Sequence, residues 1–244
     1  MKRIFSKNYA KQIKSAEFFN MIKTSLKKPD PIYHLRYGFG DKWAVTSYLL
    51  KKSEIEKKII LFDSDNYDLI YKIASFFNTN GRIEHKKSNL IFEENYNTVY
   101  TTKYVPTKKV WQENKNKIIT YQFDGRCGSS LKNPPDHEIH QFITFFEKLG
   151  YKTIDLGNYK PISFIIDSLS SCQFYVGCSS GIANVNMSVN APMYIVKQNL
   201  PDDDSEPLGY KYLRKIVYST RKDIIYVENL EEIINQRKKS QKIL

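Results

Sequence analysis

The sequence predicts an α/β protein made of two Rossmann-like, doubly wound domains facing a cleft. Three observations predict it. Short apolar strands alternate with amphipathic helical stretches, the alternation restarts near residue 117 after a polar stretch, and small-residue loops follow several of the strands. A chain of 244 residues with 41% apolar and 14% aromatic side chains can bury the cores this requires.

The elements follow in order. Tyr9, Ile13, Ala16, Phe19, Ile22 and Leu26 recur at three-to-four spacing between lysines and predict a helix over 8–27. Proline in "KKPDP" (27–31) stops it. "IYHLRY" (32–37) reads as a buried strand, the turn "GFGD" (38–41) follows, and a helix is expected over 41–51. A strand over 57–62 and a helix over 67–78 come next, and 90–104 reads equally as strand or helix. The polar, proline-marked stretch 105–117 reads as a linker, dividing a domain of residues 1–110 from one of residues 117–244. The second domain is expected as strand 118–123, loop 124–135, helix 136–149, strand 152–157, helix 161–172 and strand 174–178. Helix 181–190, strand 192–196, a long acidic loop through "PDDDSEP" (201–207), strand 223–227 and helix 229–239 complete it.

Composition narrows the setting. No apolar run approaches the roughly 18–20 residues a membrane span needs, and the basic start has no continuous apolar segment after it, unlike a secretory signal. Cys127, Cys172 and Cys178 suit neither a metal knuckle nor a disulfide framework, so a cytoplasmic location is expected. The formal charge is +12, and residues 1–28 hold eight basic side chains against Glu17 alone. With the tail "QRKKSQKIL" this is either a solvated face or an attraction to a polyanion: nucleic acid, anionic lipid at the inner membrane surface, or a phosphorylated glycan.

In doubly wound sheets ligands bind beyond the carboxyl ends of the strands, which selects loops 38–41, 124–132 and 177–181. Gly177-Cys178-Ser179-Ser180-Gly181 runs into a helix whose first N–H groups suit a phosphate, or it is a tight turn with a serine cap. Gly125, Arg126 and Lys132 give the second loop a composition suited to a pyrophosphate, or it is a solvated loop. Asp41, between Gly40 and the apolar run, either caps the helix or faces something bound there. Asp63-x-Asp65 could hold a divalent cation, although Asp65 capping the next helix is the plainer reading. His34, His85, His137 and His140 lack ligand spacing, and no metal or cofactor is expected.

Taken together, these loops resemble the ADP-heptose-type lipopolysaccharide heptosyltransferases, inverting glycosyltransferases of the two-domain GT-B fold. The family has a strand followed by Asp-Ser-Gly-x-x-His, a small-residue helix and a proline. The matching stretch here is Ser179-Ser180-Gly181-Ile182-Ala183-Asn184, then "VNMSVNA" and Pro192. The family's glycine-rich turn with a lysine before a proline resembles "DGRCGSSLKNPP" with Lys132, and its Gly-x-Gly-Asp resembles Gly38-Phe39-Gly40-Asp41.

The resemblance implies transfer of a sugar from a nucleotide-diphosphate donor, the co-substrate, to an acceptor hydroxyl without metal. Asp41 would be general base and Gly38 and Gly40 part of the acceptor loop. Lys132 and Arg126 would neutralise the diphosphate, Ser179, Ser180 and Gly181 would hold its phosphates, and Gly125 and Asn184 would contact donor or nucleotide. The acceptor is expected to be a bacterial surface glycan or a hydroxymethylated DNA base. Ser179 and Asn184 replace the family's Asp and His, which leaves open a non-catalytic nucleic-acid-binding module that retains the fold.

Overall fold

The computed structural model describes residues 31–35, 38–88, 96–113, 116–124, 133–157, 160–197 and 216–241, and Ile32–Leu244 form one compact unit. The helix expected over 8–27, the loop residues Gly125, Arg126 and Lys132, and the acidic stretch 201–207 lie outside the described residues.

Among the described residues, eight strands form two separate, wholly parallel sheets. β1 (Ile32–His34), β2 (Ile60–Asp63) and β3 (Ile83–His85) lie side by side in that order. The second sheet contains β4 (Ile118–Gln122), β5 (Lys152–Asp155), β6 (Phe174–Gly177), β7 (Met193–Val196) and β8 (Ile225–Val227) in the order β5-β4-β6-β7-β8. Helices join the strands: α1 (Phe39–Glu56), α2 (Tyr67–Ala74), α3 (Tyr96–Thr101), α4 (Asp136–Lys148), α5 (Ile162–Ser171), α6 (Gly181–Val189) and α7 (Leu230–Gln241). The strand order reverses between β4 and β6. That makes the carboxyl ends of these two strands the switch point at which doubly wound sheets open a crevice.

Several elements differ from the sequence expectation. α1 starts two residues earlier than expected, at Phe39, and runs on to Glu56, ending at Lys57 in the left-handed region (φ 52°). Asp65 does not cap α2; Asn66 does, its side-chain oxygen accepting the Leu69 N–H at 3.2 Å. Asp63 pairs instead with His85 Nε2 at 3.4 Å and accepts the Ser88 N–H at 3.2 Å. The ambiguous stretch contributes the short helix α3, and β3 was not expected at all. Nor does 105–117 behave as a free connector. Val105 N–H donates to Ser47 Oγ (2.8 Å), Thr107 N–H to the Ser188 carbonyl (3.2 Å) and Trp111 N–H to that of Val189 (2.8 Å). The strap thus ties α1 to the end of α6.

One apolar core runs from the first sheet through α1 into α6 and β6, including Trp43, Leu49, Phe62, Ile70, Ala183, Val185 and Tyr175. A second lies between β4, α4 and α7, around Phe142, Phe146, Tyr151 and Leu230. α6 is buried on every side from Ile182 to Val189, so each of its polar side chains needs an internal partner. Asn184 accepts from Tyr104, Asn186 bonds the N–H and carbonyl of Ala191, and Ser188 accepts the Trp43 indole N–H at 3.1 Å.

Candidate functional site

Two helix starts meet at the candidate site. α1 begins just beyond β1 and brings Gly38, Gly40 and Asp41; α6 begins just beyond β6 and brings Ser179, Ser180 and Gly181. A Cβ on Gly40 would stand 2.8 Å from the Gly181 Cα and 2.7 Å from Asn184 Nδ2. A Cβ on Gly181 would meet Phe39 Cδ1 at 3.0 Å and the Gly40 nitrogen at 3.2 Å. The two glycines therefore let the backbones touch, and the positive ends of two helix dipoles converge. Gly38, the exposed N-cap of α1, provides no side-chain cap.

Asp41 occupies the first turn of α1, yet no side-chain cap bond is made there; its Oδ1 accepts the hydroxyl of Tyr100, from α3. Asp41 Oδ2 makes no hydrogen bond among the described residues. Burial and then the Asp41 charge push the Tyr100 hydroxyl far above the usual tyrosine range, so it remains a protonated donor. Tyr104 is likewise raised, by burial first, and donates to Asn184 Oδ1 at 3.1 Å. On the other flank Tyr218, also raised by burial, shares a hydrogen bond of 3.2 Å with Ser179 Oγ. Three neutral tyrosine hydroxyls thus bond Asp41, Asn184 and Ser179 in turn.

The second loop begins beside this junction. Gln122, at the end of β4, is the register partner of Gly177 at the end of β6. Asp124 and Asn133, which bracket residues 125–132, lie on that same edge: Gln122 Nε2 donates to the Asp124 carbonyl, and Cys178 Sγ stands 3.8 Å from Asn133 Oδ1. Cys178 itself is fully buried, its thiol aimed at the Gln122 and Phe123 carbonyls. The described residues bring together Asp41, Gly40, Ser179, Ser180, Gly181 and Asn184. Sequence reasoning missed Tyr100, Tyr104 and Tyr218, for which tyrosine-rich composition was the only available signal.

A carboxylate with one oxygen tethered and one free, set where N–H groups converge, is equipped to accept a proton beside an anionic group. The class this fold defines is a distant glycosyltransferase-like α/β fold. It is similar to the bacterial iron-containing dodecameric glycosyltransferase TibC of enterotoxigenic E. coli. The TM-score is 0.50 at 11% identity, over 69% of this chain and 58% of that one. A structure of the iron-containing heptosyltransferase TibC in complex with ADP-D-β-D-heptose matches with a TM-score of 0.46 at 11% identity, over 70% of this chain and 60% of that one. The chain thus spans less than two thirds of the TibC chains it matches. No family model matches the sequence, and no curated protein matches it. Among the described residues no helix is long and apolar enough to cross a membrane.

Proposed function

We propose that the chain is a metal-independent glycosyltransferase of GT-B type, moving a sugar from a nucleotide-diphosphate donor to an acceptor hydroxyl with inversion. The observation that carries this reading is the close approach of Gly40, the residue before Asp41, to Gly181 at the start of α6, beside the switch point of the second sheet. In this reading residues 1–110 and 117–244 act as acceptor-side and donor-side domains. The diphosphate lies against Ser179, Ser180 and Gly181, with Arg126 and Lys132 neutralising it as the bond to the sugar breaks. Asp41 Oδ2 takes the proton of the acceptor hydroxyl as that oxygen attacks the anomeric carbon. Tyr100 holds the other carboxylate oxygen and so fixes the direction of the free one.

The test is thermal unfolding against a panel of nucleoside diphosphates and sugar nucleotides. A ligand at one hundred times its dissociation constant stabilises by about 2.7 kcal/mol. Asp41→Asn is expected to lower turnover by about 10²–10⁴-fold while leaving nucleotide binding intact, and Lys132→Ala to weaken the nucleotide. Undiminished turnover in Asp41→Asn removes the carboxylate from the mechanism.

One observation favours a second reading, a non-catalytic nucleic-acid-binding module. The side chains of Ser179 and Asn184 are engaged by Tyr218 and Tyr104 within the chain itself. That reading requires steeply salt-dependent binding of duplex DNA and no response to any nucleotide.

A further inference from the structure

The amino ends of the second sheet, opposite the candidate site, carry a cluster of cations. Lys117 precedes β4, Lys148 closes α4, Lys152 opens β5, and Arg237 and Lys238 lie in the last turns of α7. Tyr151 links them: Lys117 Nζ stands 5.7 Å and the Arg237 guanidinium 5.8 Å from its ring centre, and Arg237 also donates to its hydroxyl. Lys238 Nζ lies 5.7 Å from the Phe145 ring, which packs through Phe146 onto Tyr151.

Among the described residues, five Lys and Arg side chains elsewhere have carboxylate partners. Lys52 and Lys58 pair with Glu56, Lys109 with Asp167, Lys197 with Glu228 and Arg221 with Asp223. None of the five cations at the amino ends has one among the described residues, and Arg237 Nε is buried without an acceptor. Aromatic faces hold Lys117, Arg237 and Lys238 in place without cancelling their charge. The neighbouring carboxylate of Glu147 is turned to the Thr153 hydroxyl. The result is a predominantly basic surface, five cations against the carboxylate of Glu147.

We propose that this face docks the protein on an anionic lipid surface, its ammonium and guanidinium groups meeting phosphate headgroups. Tyr151 is only 6% exposed, so the rings beneath the cations give nucleic-acid bases no stacking platform. The candidate site lies at the far end of the strands, about 16 Å away for a five-residue strand. A docked molecule therefore keeps its site open to solvent. Each basic residue close to an anionic leaflet strengthens partitioning by about fivefold.

The test is co-sedimentation of the full chain with vesicles of phosphatidylcholine alone and of phosphatidylcholine mixed with phosphatidylglycerol. Binding is expected only to the mixed vesicles and is lost at high salt. The variant Lys148→Gln/Lys152→Gln/Lys238→Gln is expected to partition about 100-fold more weakly. The variant Lys57→Gln/Lys72→Gln/Lys86→Gln removes the same charge from exposed positions around the first sheet and should lose less than tenfold. Circular dichroism shows whether both triples remain folded. Equal losses in the two triples, unchanged partitioning of the first, or tighter binding to duplex DNA than to mixed vesicles at matched salt would overturn the proposal.

Discussion

Substituting Gly40 by alanine tests the junction on which the functional reading depends. The added methyl carbon would lie 2.8 Å from the Gly181 Cα, where ordinary contact begins at 3.4 Å, so α1 and α6 must part by about 0.6 Å. The Asn184 amide at 2.7 Å is a side-chain obstacle, but the Gly181 Cα is backbone, and no rotamer change relieves it. A gap of 0.5–1 Å forfeits roughly a quarter to a half of the dispersion energy of the atoms facing it, and overpacking of this kind costs about 1–3 kcal/mol. Alanine returns about 0.5–1 kcal/mol because glycine is poor inside a helix. The net expectation is a loss of about 1–2 kcal/mol, which for a chain of this size lowers Tm by roughly 3–6 °C. Urea unfolding followed by tryptophan fluorescence reads it directly, since Trp43 is fully buried in the same interface. Gly181→Ala should cost less, under about 1 kcal/mol, because its nearest obstacle is the Phe39 ring edge, which can swing. The double variant should fall short of additivity by about 0.5–1 kcal/mol, since helices already parted by the first methyl make room for the second. A Gly40→Ala protein more stable than the parent would refute the helix contact and with it the position of Asp41.

Three further outcomes follow from polar groups elsewhere. Arg221 donates to the Asn186 and Ala191 carbonyls at 3.2 and 3.0 Å, closing the end of α6. Its replacement by alanine should cost about 2–3 kcal/mol by leaving them unsatisfied, with lysine recovering less than half in urea titrations. The bond from Arg221 holds the Asp223 carboxyl below the usual aspartate range. Its contribution to stability is therefore complete above the unfolded value of about 4 and disappears as pH falls below it. Because the Asp223 side chain is 60% exposed, Asp223→Asn should cost less than about 1 kcal/mol at pH 7 and nothing at pH 2, by urea midpoints. Burial pushes the Cys172 thiol up to about 11, so iodoacetamide at pH 8 should label it only after unfolding; labelling of the folded protein at a free-thiol rate would contradict its burial.

Much of the second sheet was legible in the sequence because its inner strands β4, β6 and β7 are mostly buried apolar runs and its helices carry clear periodicity. "FYVGC" and "PMYIV" could hardly be anything but central strands, and glycine after α4 marked its end. The first half was harder. β3 is three residues long with only partial burial, too short for any period to declare itself. The start of α1 was misjudged because glycine normally argues against a helix, and only the contact with Gly181 explains why Gly40 belongs inside one. The strap from Val105 to Trp111 looked like a linker because its hydrogen bonds are made by backbone groups, which composition does not reveal. The same limit applies at the site: Asp41 was conspicuous after Gly38-Phe39-Gly40, whereas Tyr100, fifty-nine residues away, becomes its partner only through the fold.

The two positions where the chain departs from the heptosyltransferase-like pattern both have side chains bonded by tyrosine hydroxyls. Ser179 shares a hydrogen bond with Tyr218, and Asn184 accepts from Tyr104 while its amide nitrogen faces Gly40. An aspartate at 179 would set a second negative charge near Asp41, and a histidine at 184 would be too large for a helix face pressed against Gly40. The substitutions therefore go with the close approach of α1 and α6, and side-chain recognition at these points is exchanged for helix contact. In the proposed reading a nucleotide bound here is gripped by the backbone N–H groups at the start of α6. Restoring Ser179→Asp together with Asn184→His should for that reason weaken the fold by about 1–3 kcal/mol, in the way inserting bulk into any packed interface does. It should do so whether or not it improves nucleotide binding. A double variant as stable as the parent would mean that the two helix starts are held apart in solution, with room between them for a ligand.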